Sequence, residues 1–352
     1  MAIDQIDTVV DEPTDIRPAT KRRAAVYAYL AAVWSLVYAG LAVGWAVGIP
    51  GWPAPPFERA GTDMPPALAS GLPPSLLAGL AMATAGVAIA IANGWGRSAV
   101  RTALLSTAWV VAGGLALAFT TERLLPLIGY APIYLLGAPF DWPPGSWFDH
   151  VTWPIVHEAI CLLGGALWAL TAVWYRRRTA PRGAAIAGHG QVTRRDRWAV
   201  GVAVAMPLLY ASTRYAWLLG VPLGISEEFL RAGQRTGLWV AGAGLATFAV
   251  VGALLTLGLV QRWGEMLPRW VPVIGGRRVP PALATAPAAA VSVLLITAGL
   301  GLLRDAVAAP VPWDPGMWAA SQPMLTVFPV WGVALATATL GYHRRRSARR
   351  QR

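Results

Sequence analysis

Three ionisable residues stand inside long apolar stretches of the chain, where charged side chains are rare. His157 and Glu158 are adjacent in one stretch, and Arg214 lies in another. A lone charge deep in an apolar membrane interior costs about 2.5–3.5 kcal/mol even on the mildest scale, so such residues are usually paired or functional. We therefore expect His157, Glu158 and Arg214 to form a site.

The depths of these residues along their helices predict how they meet. Glu158 lies about 7.5 Å below the outer end of its predicted helix, and Arg214 lies about 9 Å below the same end of its own. The matching depths predict an ion pair between Glu158 and Arg214 with His157 beside it. Such a pair could lock two helices together or belong to a ligand site. Tyr38 and Tyr210, which occupy equivalent positions in an internal repeat, complete the set of candidate ligand-binding residues.

The sequence contains no pattern typical of a metal or cofactor site. No Walker or Gly-x-Gly-x-x-Gly phosphate loop occurs. A haem held by two histidines needs two of them at membrane depth, and only His157 lies there. His157 and Cys161 are one helical turn apart, but a single pair of ligands is weak evidence for a metal. We expect no metal, no cofactor and no assigned catalytic residue.

The composition predicts an integral membrane protein. Of the 352 residues, 56% are hydrophobic and 13% are charged, against about 25% charged in soluble proteins. The apolar residues fall into eight blocks of about twenty, which excludes a soluble enzyme with one large core and a barrel of alternating strands. We predict an all-α polytopic membrane protein with eight transmembrane helices. The predicted spans are Ala24–Val47, Leu76–Asn93, Ala103–Thr120, Trp153–Tyr175, Trp198–Gly220, Gly237–Val260, Thr285–Leu302 and Gln322–Tyr342.

The charge distribution predicts the orientation. The net charge is +12, but the basic residues cluster in alternate gaps between the apolar blocks, twenty-three on one side against five on the other. Topology therefore accounts for the charge without nucleic-acid binding, and the positive-inside rule places both termini in the cytoplasm. With 28 arginines, one lysine and abundant alanine, the chain resembles multi-pass membrane proteins of high-GC bacteria, which implies a bacterial plasma membrane.

Sliding the chain along itself indicates an internal repeat. With an offset of 172, residues 22–51 match residues 194–223 without a gap at nine positions, including Tyr38/Tyr210 and Trp45/Trp217. An offset of 168 places Trp95-Gly96 on Trp263-Gly264 and aligns the ends of the fourth and eighth spans. Because each repeat contains four spans, the two halves are predicted to be parallel, with their symmetry axis along the membrane normal.

The repeat defines the predicted domain organisation. We expect an acidic, disordered cytoplasmic tail over residues 1–20, four-helix repeats over 21–178 and 194–342, a linker over 179–193 and a basic cytoplasmic tail over 343–352. The long connections 48–75 and 121–152 lie outside and are rich in Pro and Trp. We favour an interfacial aromatic belt for their tryptophans over a cap that selects a ligand.

Three kinds of function remain open. A transporter or small-molecule or lipid-binding protein would have a polar cavity between the halves, near the outer leaflet, and we favour this kind. A structural or regulatory subunit would have a dry interface and an exposed apolar patch for a membrane protein partner. An enzyme acting on lipid would expose His157 and Glu158, as an acid–base pair, to lipid or to an outer groove.

Overall fold

The computed structural model describes residues 18–49, 72–95, 99–179, 191–266, 275–308, 316–322 and 326–350. Within these ranges the chain is helical apart from turns and one β-bridge, between Met266 and Arg278. The α-helices are α1 (Pro18–Ala46), α2 (Pro74–Ala92), α3 (Ala99–Ala118), α4 (Leu124–Gly137), α5 (Trp153–Arg178), α6 (Arg194–Leu218), α7 (Glu227–Thr236), α8 (Leu238–Leu257), α9 (Pro281–Ala308), α10 (Trp318–Gln322) and α11 (Phe328–Arg350). We call α1–α5 the first half and α6–α11 the second half.

Six helices are long and apolar enough to cross a membrane, which indicates an integral membrane protein. They are Ala25–Ala46, Pro74–Ala92, Ala99–Ala118, Trp153–Arg178, Leu238–Leu257 and Pro281–Leu303. Large apolar side chains on their outer faces, such as Val37, Val110 and Leu255, are exposed, as expected where a helix faces lipid. The predicted spans Trp198–Gly220 and Gln322–Tyr342 fall largely in α6 and α11, which are less apolar than these six because they carry more charged residues.

The eighth predicted span, Gln322–Tyr342, is helical wherever the structure describes it. Gln322 is the last residue of the short α10, residues 326–327 form a π turn that leads directly into α11 from Phe328, and residues 323–325 lie outside the described residues. Pro329 is the second residue of α11. At its other end, α11 continues to Arg350, so most of the predicted basic tail is helical.

The predicted connections contain helices of their own. Residues 124–137 of the connection 121–152 form α4, which is too short to cross a bilayer. Two 3₁₀ turns follow, and Ser146 and Asp149 cap the second of them reciprocally. In the second half, Ser226 caps the start of the amphipathic α7. The acidic tail, the linker and the connection 48–75 lie almost entirely outside the described residues.

Helices pair in the same order within each half. In the first half α1 packs against α2 and α5, and α3 packs against α5; in the second, α6 packs against α8 and α11, and α9 packs against α11. A buried tyrosine near the end of each last helix also donates a hydrogen bond to a backbone carbonyl after the second long helix. The Tyr175 hydroxyl bonds Trp95 O at 2.6 Å, and the Tyr342 hydroxyl bonds Gly264 O at 2.8 Å.

Helix α4 joins the two halves. It packs against α8 and α9 of the second half and against α5 of its own. A Cβ on Gly129 of α4 would lie 2.7 Å from Leu245 Cδ1 of α8, so the absence of a side chain permits this close approach. Leu125, at the start of α4, packs against the apolar core of the second half. The interior of the second half therefore includes a wall that the first half supplies.

Candidate functional site

His157 lies in a closed aromatic cluster inside the first half. It is 3% exposed, and its Nε2 lies 3.0 Å from the hydroxyl of Tyr38 on α1. Cys161 Sγ is 3.8 Å from the same nitrogen, one turn along α5. The rings of Trp45 and Phe119 pack edge-on against the imidazole. His157 Nδ1 has no hydrogen-bond partner among the described residues.

Glu158 is fully buried and faces a different neighbour. One carboxylate oxygen accepts a hydrogen bond from the hydroxyl of Thr121, in the turn between α3 and α4. The other oxygen has no hydrogen-bond partner in the described part of the chain. The next residue along that turn, Glu122, has its Oε2 3.3 Å from the Cβ position of Gly301 on α9. Glu158 is therefore held within the first half, close to the boundary with the second.

The predicted ion pair between Glu158 and Arg214 is wrong. Both side chains are described, and no salt bridge joins them; the carboxylate meets Thr121 instead. Arg214 lies within the second half, where its Cδ is 3.7 Å from the Cβ position of Gly242 on α8. The helical rise fixes how deep each residue lies, but depth does not determine which direction its side chain faces around the helix.

Arg214 packs between aromatic rings of its own helix. Its guanidinium carbon lies 4.6 Å from the centre of the Tyr210 ring and 4.2 Å from that of Trp217. Nη1 donates a hydrogen bond to the Thr213 hydroxyl at 3.3 Å. No carboxylate of the described residues forms a salt bridge with Arg214, although the side chain is only 7% exposed. Ring faces stabilise such a cation but leave most of its N–H donors unused.

A cavity of about 500 Å³ lies beside Arg214, between α4 of the first half and the helices of the second. Tyr210, Trp217 and Trp239 line it near Arg214, and Glu122 lines it from the turn before α4. The remaining wall is mostly apolar and includes Leu245, Phe248, Gly252, Leu294, Phe328 and Trp331. The cavity has the size and the largely apolar lining that are typical of small-molecule sites.

The structure divides the predicted site residues into two groups. Arg214 and Tyr210 line the cavity, whereas Tyr38 and His157 contact each other in the first half and Glu158 lies apart from both groups. Although Tyr38 and Tyr210 match in the repeat, their surroundings therefore differ. One contacts an imidazole, and the other contacts the Phe328 ring and a guanidinium.

Sequence reasoning missed the residues that complete both sites. Thr121 and Glu122 lie just beyond the third predicted span. The run Leu124–Gly137 has 14 residues, which is too short for a spanning helix, so the sequence analysis includes it in an outer connection. The signal was the apolar character of that run, which contains no charged residue. A segment too short to span and too apolar for an outer loop is typical of a helix packed between longer helices.

The geometry bears differently on the three kinds of function. His157 and Glu158 are buried, whereas an enzyme acting on lipid was expected to expose both of them. The interface at α4 contains a cavity, and the lining of this cavity is mostly apolar where a polar one was expected. No protein-family model, curated protein or solved structure matches the chain.

Proposed function

We propose that this membrane protein binds a lipid or another small amphiphilic molecule in the cavity between its two halves. The cavity of about 500 Å³ beside Arg214 carries this proposal. Its wall is predominantly apolar, so an acyl chain or similar group would gain free energy by leaving water. The few polar groups would fix the orientation of the ligand, as they do in small-molecule sites generally.

The proposal includes a topology of eight spanning helices in two parallel repeats. The common order of helix pairing and the two equivalent tyrosine hydrogen bonds support the repeat. The excess of basic residues at the ends where α1 begins and α11 ends supports a cytoplasmic location for both termini, in a bacterial-type plasma membrane. In this arrangement Arg214, four residues before the end of α6, lies about 6 Å below the outer end.

Filling the cavity tests the proposal without changing any charge. Gly252 lines the cavity, and a Cβ placed on it would have no atom within 4 Å, so Gly252→Leu extends into free space. Gly86→Leu on α2 is the matched control, because its Cβ would also meet no atom within 4 Å but Gly86 does not line the cavity. The probe is a neutral fluorescent fatty alcohol, added to the purified protein and detected by energy transfer from tryptophan.

We expect saturable binding of the probe to the wild type and to Gly86→Leu. Gly252→Leu should weaken binding at least about tenfold, because a leucine side chain occupies space that the ligand needs. Equal binding by all three proteins would contradict the cavity as the binding site. No saturable binding by the wild type would favour the structural or regulatory subunit.

A further inference from the structure

The cavity contains a buried cation for which the described residues provide no counter-ion. Arg214 is more than nine-tenths buried, and its single hydrogen bond joins Nη1 to the Thr213 hydroxyl. A guanidinium carries five N–H donors and stays protonated, so at least four donors lack a partner from the described part of the chain. Such an arrangement is costly in an apolar setting unless something else supplies the acceptors.

The two aromatic rings beside Arg214 do not provide acceptors for its N–H donors. Tyr210 and Trp217 cover the guanidinium with their faces, at 4.6 Å and 4.2 Å. N–H donors lie in the guanidinium plane, so packing of rings against its faces does not use them. The ring of Trp217 is itself held, because its Nε1 donates to Leu223 O at 3.0 Å and the ring packs in a T-shaped arrangement with that of Trp239. The aromatic packing therefore holds Arg214 in a fixed place at the cavity wall.

The second half differs from the first at this position. Arg214 aligns with Ala42, a fully buried residue in the packed core of the first half. Glu122 also lines the cavity, with its Oε2 3.3 Å from the Cβ position of Gly301 on α9, and it forms no salt bridge with Arg214.

We infer that Arg214 binds the anionic headgroup of an acyl-chain ligand, a carboxylate or a phosphate, while the chain lies along the apolar wall. This inference rests on the proposed function and adds the charge of the ligand to it. A guanidinium can hold two oxygens of either group at once, and such charge-assisted bonds are the strong ones. The apolar wall, formed in part by Leu245, Phe248 and Leu294, takes the chain.

Pairs of probes that differ only in charge test this inference. A long-chain fatty acid and the fatty alcohol of the same chain length are compared as competitors of the fluorescent alcohol. Phosphatidylglycerol and phosphatidylcholine are compared in the same way, so the assay distinguishes a free acid from a phospholipid as the source of the anion. The proteins are the wild type, Arg214→Gln, Arg214→Lys and Arg178→Gln. Arg178 is the matched control, since its guanidinium lies 5.3 Å from the centre of the Trp174 ring but outside the cavity.

The wild type and Arg178→Gln should prefer at least one anionic probe over its neutral partner by about tenfold or more, as loss of a charge-assisted hydrogen bond predicts. Arg214→Gln should lose this preference yet bind the fluorescent alcohol as the wild type does, which also shows that the variant is folded. Arg214→Lys should retain part of it. Equal binding of charged and neutral probes by the wild type would overturn the inference and leave the proposed function standing. The inference would also be overturned if Arg214→Gln lost binding of the neutral alcohol together with its preference for the anionic probe, or if it retained both. Failure of Gly252→Leu to weaken binding of the alcohol would instead count against the proposed function.

Discussion

Glu158 is held by a single hydroxyl in an apolar interior. Thr121 donates to one carboxylate oxygen, and both residues are buried. A hydrogen bond to a carboxyl group that water cannot reach contributes more than an exposed one, because its loss leaves a desolvated polar group. The contact therefore holds the turn between α3 and α4 against α5. Because α4 lines the cavity, the contact also helps to position one wall of the cavity.

A double-mutant cycle measures this contact. Thr121→Val should lower the free energy of unfolding by about 1–3 kcal/mol, and the loss should shrink when Glu158→Gln is already present. Thr120→Val is the control, because Thr120 lies just after α3 and donates only to Ala116 O of that helix. Thermal unfolding in detergent gives the four values.

A second cycle tests the absence of an ion pair between Glu158 and Arg214. The losses of unfolding free energy in Glu158→Gln and in Arg214→Gln should add within about 0.5 kcal/mol in the double variant. Strong coupling between the two substitutions would instead indicate the ion pair that the structure lacks.

His343, in the second half of α11, makes the stability of the protein depend on pH. Its Nε2 lies 3.0 Å from Arg177 Nη2, so the contact joins α11 to α5 of the other half. Burial, and then the Arg177 guanidinium, lower the pKa of His343 below its ordinary value. The folded state therefore favours the neutral imidazole. This contribution to stability is complete above about pH 6.5 and is lost as the pH falls through the lowered pKa.

Thermal unfolding between about pH 7.5 and 5 tests this dependence, since the interval includes the ordinary pKa of histidine. The wild type should lose stability on acidification, and His343→Gln should lose less. Arg177→Gln should reduce the pH dependence without removing it, because burial is the larger cause. A steeper loss of stability in His343→Gln than in the wild type would show that another group controls the titration.

The sequence was sufficient to single out the buried ionisable residues, but it did not predict which side chains they contact. The apolar surroundings of His157, Glu158 and Arg214 singled them out, and all three are buried. Which side chains meet depends on the rotation of each helix about its axis. Apolar residues surround most spanning helices on all sides, so no hydrophobic stripe reveals that rotation. The same uncertainty hid the contact between Tyr38 and His157.

At the scale of elements, each half contains two pairs of packed helices. The first and last long helices belong to different pairs and pack against each other, which joins the pairs. Tyr175 and Tyr342 fasten the last helix of each half to the backbone after the second. The helices were predictable because twenty apolar residues in a row have few alternatives in a membrane. The existence of α4 was not, since this helix depends on packing between the halves.

Removing the two tyrosine hydroxyls tests whether the halves are equivalent. Tyr175→Phe and Tyr342→Phe each leave a carbonyl without its donor, and each should cost about 1–3 kcal/mol of unfolding free energy. Tyr29→Phe is the control, because Tyr29 is 46% exposed. The two buried variants should be affected alike in denaturation assays. A clear loss in one half and none in the other would contradict equivalent roles.

At the scale of the whole molecule, the proposed topology predicts which surfaces face outward. Phe148, in the turn before α5, is 75% exposed, and Ser347 lies near the end of α11. The native Cys161 is buried, so it should not react in the folded protein. In intact cells an impermeant maleimide should label Phe148→Cys and not Ser347→Cys. Labelling of Ser347→Cys alone would invert the topology.

The central claim is that an anionic amphiphile occupies the cavity between the halves, and photo-crosslinking tests it most directly. A fatty acid with a diazirine in its chain is added to the protein in lipid nanodiscs, irradiated, and its attachment sites are mapped by mass spectrometry. The account predicts saturable labelling of α4 and α8, at residues around Gly129 and Leu245. Unlabelled fatty acid should compete this labelling away, and Gly252→Leu should abolish it. Labelling spread over the lipid-facing surfaces of all helices, unchanged by competitor or by Gly252→Leu, would contradict the claim.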